Sequence, residues 1–502
     1  MVQTYAVTES STPPSDGGGI SANSSLFLVT ATSGLVLVLE IVAGRLLAPY
    51  IGVSLDTFTG IIGTILAGIA LGSAAGGALA DKQDPVRLIA RALFFGGALT
   101  WLSIPIATFL GPNLGTGPAA IVTLTAAAFF LPAAVLSGIG PMVTKLELAS
   151  LDETGSVVGK LSAAGTFGAL LGTFGTGFIL ITILPVRTII IGVGALLVLG
   201  GVLMFALTKR SRPDAPEIGL VIFAALAGIF VPSPCDETTA YSCVNIVADD
   251  LINDPEAREG GRSLWLDRLR HAHVDLDDPL FLDIRYMRLF ADVVDATPDG
   301  EPLRVLHVGG GGFVLPRYIN EVRPGSENVV LELDEDLVRI AEESLGLSAE
   351  DDLDIRTGDA RIHLRDLETD SFDLIVGDAY GGSTVPWHLT TSEVMGEFDR
   401  LLTDDGLYMM NVIDGDDNRF ARSQLATVGE HFDQLAVIEP EDGVPTFAVN
   451  QILLASHVDL PTLDIDPADG TLFTGNDAVT SFIGDDALIL TDDFAPADQL
   501  LP

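Results

Sequence analysis

Seven apolar runs in the first 232 residues constrain the fold of this chain more than any other feature. Most of them reach the ~20 residues that an α-helix needs to cross a bilayer, while the last is shorter. We therefore predict a multi-pass α-helical membrane domain of about seven transmembrane helices over residues 25–232, or six if the last run does not cross. Residues 1–24, rich in Ser, Thr, Gly and Pro, predict a disordered tail. The runs cover about residues 25–48, 57–80, 87–110, 117–140, 161–183, 186–207 and 217–232.

Basic residues are confined almost entirely to alternate loops between these runs. Because cytoplasmic loops carry an excess of Lys and Arg, these loops and the N-terminus are predicted to face the cytoplasm. A seventh crossing then puts everything after residue 232 outside the cell, and six crossings leave it inside. The basic residues are Lys82, Arg87 and Arg91, then Lys145 and Lys160, then Lys209, Arg210 and Arg212.

The formal net charge of −42 lies almost wholly beyond residue 232. Residues 1–232 hold 10 Lys and Arg against 11 Asp and Glu, whereas residues 233–502 hold 16 against 57, a net charge of −41. Carboxylates spread over a whole domain suggest a high-salt environment, where salt screens their repulsion. Attraction of a cationic substrate is the alternative. So acidic a surface argues against nucleic acid as a partner.

The second half of the chain is organised around four consecutive glycines at 309–312. Residues 303–308 predict a buried parallel strand, 315–322 a helix, and 329–334 a second strand that carries Glu332. This order makes up the first half of a nucleotide-binding α/β domain.

Each part of that pattern has a chemical use. Gly309, Gly310 and Gly311 let the backbone approach a ligand, and the Glu332 carboxylate can accept hydrogen bonds from ribose hydroxyls. Because the spacing departs from the GxGxxG of dinucleotide enzymes, we predict an S-adenosyl-type ligand rather than NAD.

Two further predicted strands end in aspartate. Asp359 could accept a hydrogen bond from an adenine amino group or, equally well, cap the helix that follows it. Residues 372–377 predict a buried strand that ends at Asp378 and is followed by Tyr380. Because strand ends of this kind lie over the ligand crevice in open α/β sheets, Asp378 is the first candidate for a catalytic group.

These patterns predict an α/β Rossmann-like domain of the S-adenosylmethionine methyltransferase type over residues 301–458. A linker and a small N-terminal β layer are expected over 233–300, and an acidic C-terminal tail packing on the domain over 459–502. Cys235 and Cys243 are the only cysteines. They are either free thiols or a disulfide, which would require the exterior.

The segments described so far resemble the spermidine synthase (polyamine aminopropyltransferase) family, and the whole chain resembles its membrane-fused branch. The resemblance covers roughly residues 235–500 for the enzyme fold. It rests on residues 237–241, 305–313, 331–334, 358–360, 373–380 and 490–496, together with 40–49 in the first apolar run.

The resemblance implies transfer of an aminopropyl group from decarboxylated S-adenosylmethionine to an amine such as putrescine, giving spermidine and methylthioadenosine. It implies that Glu332 holds the ribose, that Asp359 and Ala360 hold the adenine, and that Pro386 lies beside the nucleoside. The donor is then a co-substrate. No tightly bound cofactor and no metal are expected, and a homodimer is among the expected states.

On the amine side, the resemblance implies that Asp378 accepts the proton and that Tyr241, Asp283 and Tyr380 contact the amine or polyamine. A free alkylamine is largely protonated at neutral pH, with a pKa near ~10. It must lose that proton before it can attack the carbon beside a sulfonium. A carboxylate at the site can bind the ammonium group and take its proton.

Three departures from the family pattern concern this amine side. The family usually has GGGDG, and its acid is replaced here by Gly312. The family motif Asp-x-x-Asp-Pro begins here at Asp378, and Gly381 stands in place of its second Asp. The family motif Tyr-His-Glu aligns here with residues 281–283, Phe-Leu-Asp. Two alternatives therefore stay open: an S-adenosylmethionine-dependent methyltransferase on the same scaffold, and a transporter or sensor that binds a nucleoside or polyamine without turnover.

Overall fold

The computed structural model contains two compact units, which we call the helical unit and the sheet unit. The helical unit comprises residues up to Leu47 together with Thr59–Pro232, and the sheet unit comprises Ala48–Phe58 together with Ser233–Pro502. The described residues are 21–115, 117–148, 154–208, 212–249, 258–297, 301–380, 385–415, 417–440 and 449–501. Residues 1–20 of the predicted tail and Gly381 therefore lie outside the described residues.

Among the described residues, six helices are long and apolar enough to cross a membrane. They correspond to the first six predicted spans. The seventh apolar run forms α7 (Ala215–Phe230), whose 16 residues fall short of the usual ~20. The six longer helices are α1 (Ala22–Ile51), α2 (Leu55–Ala80), α3 (Pro85–Asn113), α4 (Pro118–Glu147), α5 (Thr154–Ile183) and α6 (Val186–Thr208).

Glycines bring two pairs of these helices into close contact. A Cβ added to Gly72 of α2 would lie 2.0 Å from the carbonyl oxygen of Ala134 on α4. A Cβ added to Gly168 of α5 would likewise lie 2.0 Å from the carbonyl oxygen of Thr30 on α1. Because a larger residue would force the backbones apart, these glycines serve helix packing.

Both ends of α7 are fixed within the helical unit. Near its start, Glu217 forms an ion pair with Arg91 of α3 at 3.3 Å. Near its end, Arg187 at the start of α6 donates hydrogen bonds to the carbonyl groups of Gly228 and Ile229, at 3.1 and 2.8 Å. Helix α7 therefore runs from the end of the unit where α3 begins to the end where α6 begins.

The main part of the sheet unit begins with a four-stranded antiparallel sheet. A disulfide joins Cys235 to Cys243, with Cα atoms 5.3 Å apart. Of the two alternatives, free thiols or a disulfide, the structure therefore has the disulfide. It closes a short loop that contains Tyr241. The strands are β1 (Glu237–Thr238), β2 (Cys243–Ala248), β3 (Gly261–Leu266) and β4 (Leu269–Asp275), in that order across the sheet, and α8 (Arg285–Ala296) follows them.

A mixed eight-stranded sheet forms the centre of the sheet unit, with the order β12-β10-β11-β9-β8-β5-β6-β7. Strands β5 to β9 are parallel, whereas β10, β11 and β12 extend the sheet in antiparallel fashion. This is the Rossmann-like arrangement predicted. The strands are β5 (Arg304–Val308), β6 (Glu327–Glu332), β7 (Leu353–Thr357), β8 (Phe372–Gly377), β9 (Leu402–Asp414), β10 (Gln434–Glu439), β11 (Val449–Ser456) and β12 (Thr471–Thr474).

Apolar cores lie on both faces of this sheet. Val305 and Leu374 belong to one core, together with α8 and the small sheet, and Leu306 and Ile375 belong to the other. Successive residues of a strand face opposite sides, so the central strands are apolar throughout. The helices are α9 (Val314–Val322), α10 (Glu335–Ser344), α11 (Ala360–Leu364), α12 (Ser392–Leu401), α13 (Arg419–Val428), α14 (Asn476–Ile483) and α15 (Ala497–Leu500).

The acidic C-terminal region contains regular structure that its composition did not indicate. Strand β12 pairs with β10 and becomes the edge of the sheet. Leu490 is fully buried and its carbonyl group accepts a hydrogen bond from the backbone N–H of Ser392 at 2.8 Å. This region is thus part of the packed domain.

Candidate active site

Four parallel strands end side by side and carry the candidate site residues at one edge of the sheet. The backbone hydrogen bonds continue past the strand ends. The N–H of Gly309 donates to the carbonyl of Leu331, and that of Gly358 donates to the carbonyl of Glu332, both at 2.9 Å. The N–H of Asp378 donates to the carbonyl of Val308, also at 2.9 Å. The glycine turn, Glu332, Asp359 and Asp378 are thereby brought to the same edge.

The first glycine of the turn has no room for a side chain. Gly309 has φ of +107°, and a Cβ there would lie 2.2 Å from the carbonyl oxygen of Asp378. Both the left-handed backbone and this close approach require glycine. Gly311 also has a positive φ, of +52°. The turn therefore presents backbone to the crevice, as a nucleotide-binding turn must.

Glu332 is buried at the end of β6 and its carboxylate binds the glycine turn. One oxygen accepts hydrogen bonds from the N–H groups of Gly310 at 2.9 Å and Gly311 at 3.2 Å. The other accepts from the N–H of Asp334 at 2.9 Å. Burial raises the pKa of Glu332 above its ordinary value, while these N–H donors oppose that rise. The remaining lone pairs can accept hydrogen bonds from ribose hydroxyls.

Asp359 caps helix α11, which was one of the two roles considered for it. Its Oδ1 accepts a hydrogen bond from the N–H of Arg361 at 2.9 Å. Its Oδ2 lies 3.5 Å from Nε2 of His388, just beyond Pro386. Ala360 is buried at the first position of α11. The structure thus brings Asp359, Ala360 and the segment of Pro386 to the same side of the site.

Asp378 is held by two side chains that the sequence did not single out. Nδ2 of Asn411, on the neighbouring strand β9, donates to Oδ1 of Asp378 at 2.9 Å. The phenolic O–H of Tyr286, on α8, lies 3.2 Å from the other carboxylate oxygen. Burial raises the pKa of Asp378 to about 6, although both of these donors act to lower it.

A second amide fixes Asn411 in turn. Nδ2 of Asn450, on β11, donates to Oδ1 of Asn411 at 2.9 Å. An ionised carboxylate only accepts hydrogen bonds, so Asn411 must direct its NH₂ group to Asp378 and its oxygen to Asn450. The guanidinium of Arg285 donates to the backbone carbonyl of Asn450. This chain of contacts orients the Asp378 carboxylate.

The three residues predicted to contact the amine have different environments. The hydroxyl of Tyr380 donates a hydrogen bond to the carbonyl of Asn411 at 2.6 Å and accepts one from the N–H of Ile413 at 2.9 Å. Both hydrogen bonds are thus made with the backbone of β9. Asp283 forms an ion pair with Arg270 at 2.5 Å. Tyr241 is 45% exposed, within the loop that the disulfide closes.

Gly312, where the family usually has an acid, lies beneath the small sheet. A Cβ at this position would lie 2.6 Å from Cβ of Ala272 on β4. An aspartate would therefore have to displace β4. The position of β4 is thus compatible with glycine at 312 and not with the usual acid.

Asn411 and Tyr286 were not predicted as site residues, and they differ in how clearly the sequence indicates them. Asn411 is a single amide within the apolar residues 407–413, on the strand next to the one that ends in Asp378, and that pattern could have identified it. Tyr286 gives no such signal, because it reaches Asp378 from 92 residues away. Among the described residues, no group of three or more His, Cys, Asp or Glu side chains could hold a metal ion.

Comparison with known proteins shows the family to which this chain is related. The chain is 30% identical over 453 residues to polyamine aminopropyltransferase 2 of Streptomyces coelicolor, which covers 81% of this chain and 79% of that protein. It is 27% identical over 163 residues to the polyamine aminopropyltransferase of Vibrio vulnificus, covering 32% of this chain and about half, 52%, of that protein. No family model matches.

A solved structure of a probable spermidine synthase from Corynebacterium glutamicum covers 52% of this chain and 97% of its own, at 28% identity and a TM-score of 0.46. On the strength of the Streptomyces relative, the chain belongs to the polyamine aminopropyltransferase family. The predicted resemblance is thereby confirmed, and an aminopropyltransferase-like enzyme is supported at the level of the family.

Proposed function

We propose that the protein transfers the aminopropyl group of decarboxylated S-adenosylmethionine to a primary amine such as putrescine, with Asp378 as the base. The observation that carries this proposal is the Asp378 carboxylate, oriented by Tyr286 and Asn411 beside the glycine turn. The amine nitrogen attacks the aminopropyl carbon that is bonded to the sulfonium sulfur. A C–N bond forms, the bond between that carbon and sulfur breaks, and neutral methylthioadenosine is released.

The raised pKa of Asp378 suits this role. An alkylammonium has a pKa near ~10.4, so proton transfer to an ordinary aspartate would be uphill by about 9 kcal/mol. With a pKa of about 6, the uphill cost falls to about 6 kcal/mol. Asp378 nonetheless remains roughly nine-tenths ionised at pH 7, so the base form predominates. A carboxylate with a raised pKa that is still mostly ionised at pH 7 is typical of a general base.

The donor is proposed to lie along the ends of β5, β6 and β7. Gly309, Gly310 and Gly311 would allow its close approach, and Glu332 would accept hydrogen bonds from the ribose hydroxyls. Asp359, with Ala360 and Pro386, would then contact the adenine. On the amine side, the exposed ring of Tyr241 is the proposed contact, because Asp283 is already paired with Arg270.

Methylthioadenosine release tests the proposal. Full-length protein in detergent and high salt is incubated with decarboxylated S-adenosylmethionine and putrescine. We expect release that falls at least 1,000-fold in Asp378→Asn, whose amide cannot accept the proton. The matched control is Asp354→Asn, the same change at an exposed position on β7, and it should leave the rate unchanged. Methyl transfer from S-adenosylmethionine, or donor binding without turnover, would contradict the proposal.

We further propose that all seven helices cross the membrane and that the sheet unit faces the cell exterior. Three features support this: the position of the basic loops, the Cys235–Cys243 disulfide, typical of oxidising compartments, and the fixing of both ends of α7 by Arg91 and Arg187. A reporter fused after residue 502 tests it. Reporter activity in the cytoplasm would favour six crossings instead.

A further inference from the structure

The helical unit contains a cavity of about 760 Å³ that the proposed reaction does not use. It lies among α1, α2, α4 and α5, between the two glycine-packed pairs formed by α1 with α5 and α2 with α4. Its volume is within the range of about 300–1,000 Å³ that small-molecule sites have. The space between the pairs is therefore large enough for a ligand.

Hydroxyl groups line this cavity in unusual number. Seven Ser and Thr side chains face it from all four helices. Ser137 donates its hydroxyl proton to the carbonyl of Ala133 at 2.7 Å, and Thr144 donates to the carbonyl of Gly140 at 3.0 Å. A hydroxyl whose proton is bound in this way still has lone pairs to accept a hydrogen bond. The cavity therefore suits a ligand rich in hydrogen-bond donors.

The charge of the lining excludes polyamines. Among the described residues that line the cavity, the charged ones are Asp81 and Lys145, which pair with each other at 2.7 Å. A polyamine would bring two or more ammonium groups into a site whose carboxylate already has a partner. That pair is exposed, with side-chain exposures of 65% for Asp81 and 51% for Lys145. The other described residues of the lining are uncharged, so an ammonium group deeper among these helices has no carboxylate partner, which costs several kcal/mol. A neutral ligand meets no such cost.

We infer that this cavity binds a neutral nucleoside, such as the 5′-methylthioadenosine that the proposed reaction releases. Ribose hydroxyls and the exocyclic amino group donate to Thr144, Thr166 and their neighbours, while the thioether end contacts apolar residues such as Leu136 and Leu161. The choice of this nucleoside rests on the proposed function; the binding of a neutral, donor-rich molecule rests on the cavity alone.

Equilibrium binding of tritiated 5′-methylthioadenosine to the full-length protein in lipid nanodiscs tests the inference. The nucleoside site of the sheet unit is weakened by Glu332→Ala and, in the unaltered protein, is blocked by saturating S-adenosylmethionine, whose positive charge the cavity rejects. We expect saturable binding to remain in both cases. Excess spermidine should not displace it.

Paired substitutions then locate the remaining site. Thr144→Val with Thr166→Val keeps the side-chain shapes but removes two acceptors, and the dissociation constant should rise about 10-fold or more. Thr182→Val, on α5 but outside the cavity lining, is the control and should have no effect. Loss of all specific binding with S-adenosylmethionine present, or displacement by spermidine, would overturn the inference. Absence of turnover with this binding intact would overturn only the proposed function.

Discussion

Asn411 donates a hydrogen bond from Nδ2 to Oδ1 of Asp378 at 2.9 Å, across neighbouring parallel strands of the central sheet. Its own oxygen is held by Asn450. The amide therefore has one orientation, and it stabilises the ionised form of Asp378. Through Asn450 the contact links Asp378 to the antiparallel half of the sheet.

Replacing Asn411 with Leu, which keeps the branching at Cγ but removes the polar groups, should move the pH dependence of activity. The hydrogen bond from Asn411 lowers the pKa of Asp378, so its loss raises that pKa above about 6. The acidic limb of kcat/KM should shift upward by about one pH unit, as measured by methylthioadenosine release from pH 5 to 9. Asn450→Ala, which acts only through Asn411, should shift it less. An acidic limb that stays near pH 6 in Asn411→Leu would count against the role of this contact.

Asp378→Asn should make the protein more stable at neutral pH while removing its activity. The pKa of Asp378 is higher in the folded protein than the ordinary value of 3.8. Between about pH 4 and 6 the folded state therefore binds more protons than the unfolded state, and stability falls as pH rises. Above pH 6, the ionised Asp378 lowers the free energy of unfolding by an amount of the order of 1–3 kcal/mol. Thermal unfolding should give a higher midpoint for the variant at pH 7.5 and little difference at pH 4; equal midpoints at both values would refute the pKa assignment.

Glu332→Ala should weaken donor binding and loosen the glycine turn together. It removes the proposed ribose contact and leaves the N–H groups of Gly310, Gly311 and Asp334 without their acceptor. An unsatisfied buried N–H costs about 1–3 kcal/mol. We expect at least a 10-fold rise in the dissociation constant for S-adenosylmethionine by calorimetry, with a lower unfolding temperature. Glu335→Ala, at an exposed position of α10, is the control; unchanged affinity in Glu332→Ala would contradict the assigned role.

Gly312→Asp, which restores the acid usual in the family, should harm this protein. The new Cβ would lie 2.6 Å from Cβ of Ala272, and such overpacking costs typically about 1–3 kcal/mol. Ala272→Gly in the same chain removes the opposing atom and should recover much of the lost stability. The measurement is the thermal midpoint of the single and double variants. A stable single variant would mean that β4 moves easily.

Salt should stabilise the sheet unit. Residues 233–502 carry a net charge of −41, and the screening length falls from about 30 Å at 0.01 M to about 3 Å at 1 M salt. Repulsion among the carboxylates therefore weakens as salt is added, and the unfolding temperature should rise steadily over this range. NaCl and KCl should act alike, since the effect is screening. A flat response would show that the acidic residues do not limit stability.

Those parts of the molecule that depend on local pattern were predictable from sequence. Apolar runs of sufficient length identified the long helices, and the order of strand, glycine turn, helix and strand placed Glu332 beside the turn, where the structure has it. Such features depend on residues that are close in the chain. The ends of parallel strands meet at one edge, so Asp359 and Asp378 could be placed there without further information.

Features that depend on distant contacts could not be read in this way. Tyr286 meets Asp378 only because α8 packs against the large sheet. β4 leaves no room for a side chain at Gly312, and no local pattern in the sequence indicates that contact. The hydroxyl of Tyr380 is bound to β9, whereas the family resemblance implied that Tyr380 contacts the amine.

Residues 490–494 hold one side of the site from a distant part of the sequence. Asp492 binds Arg361 at the start of α11, at 2.5 Å, and the hydroxyl of Thr391 just before α12, at 2.8 Å. These helices begin beside Asp359 and Pro386, whereas the glycine turn uses residues made about 180 positions earlier. Because a domain generally folds as a unit, the side of the crevice formed by α11 and α12 is complete only in a chain that includes Asp492. A chain cut before residue 490 would keep the residues of the glycine turn but lose both contacts that hold the opposite side.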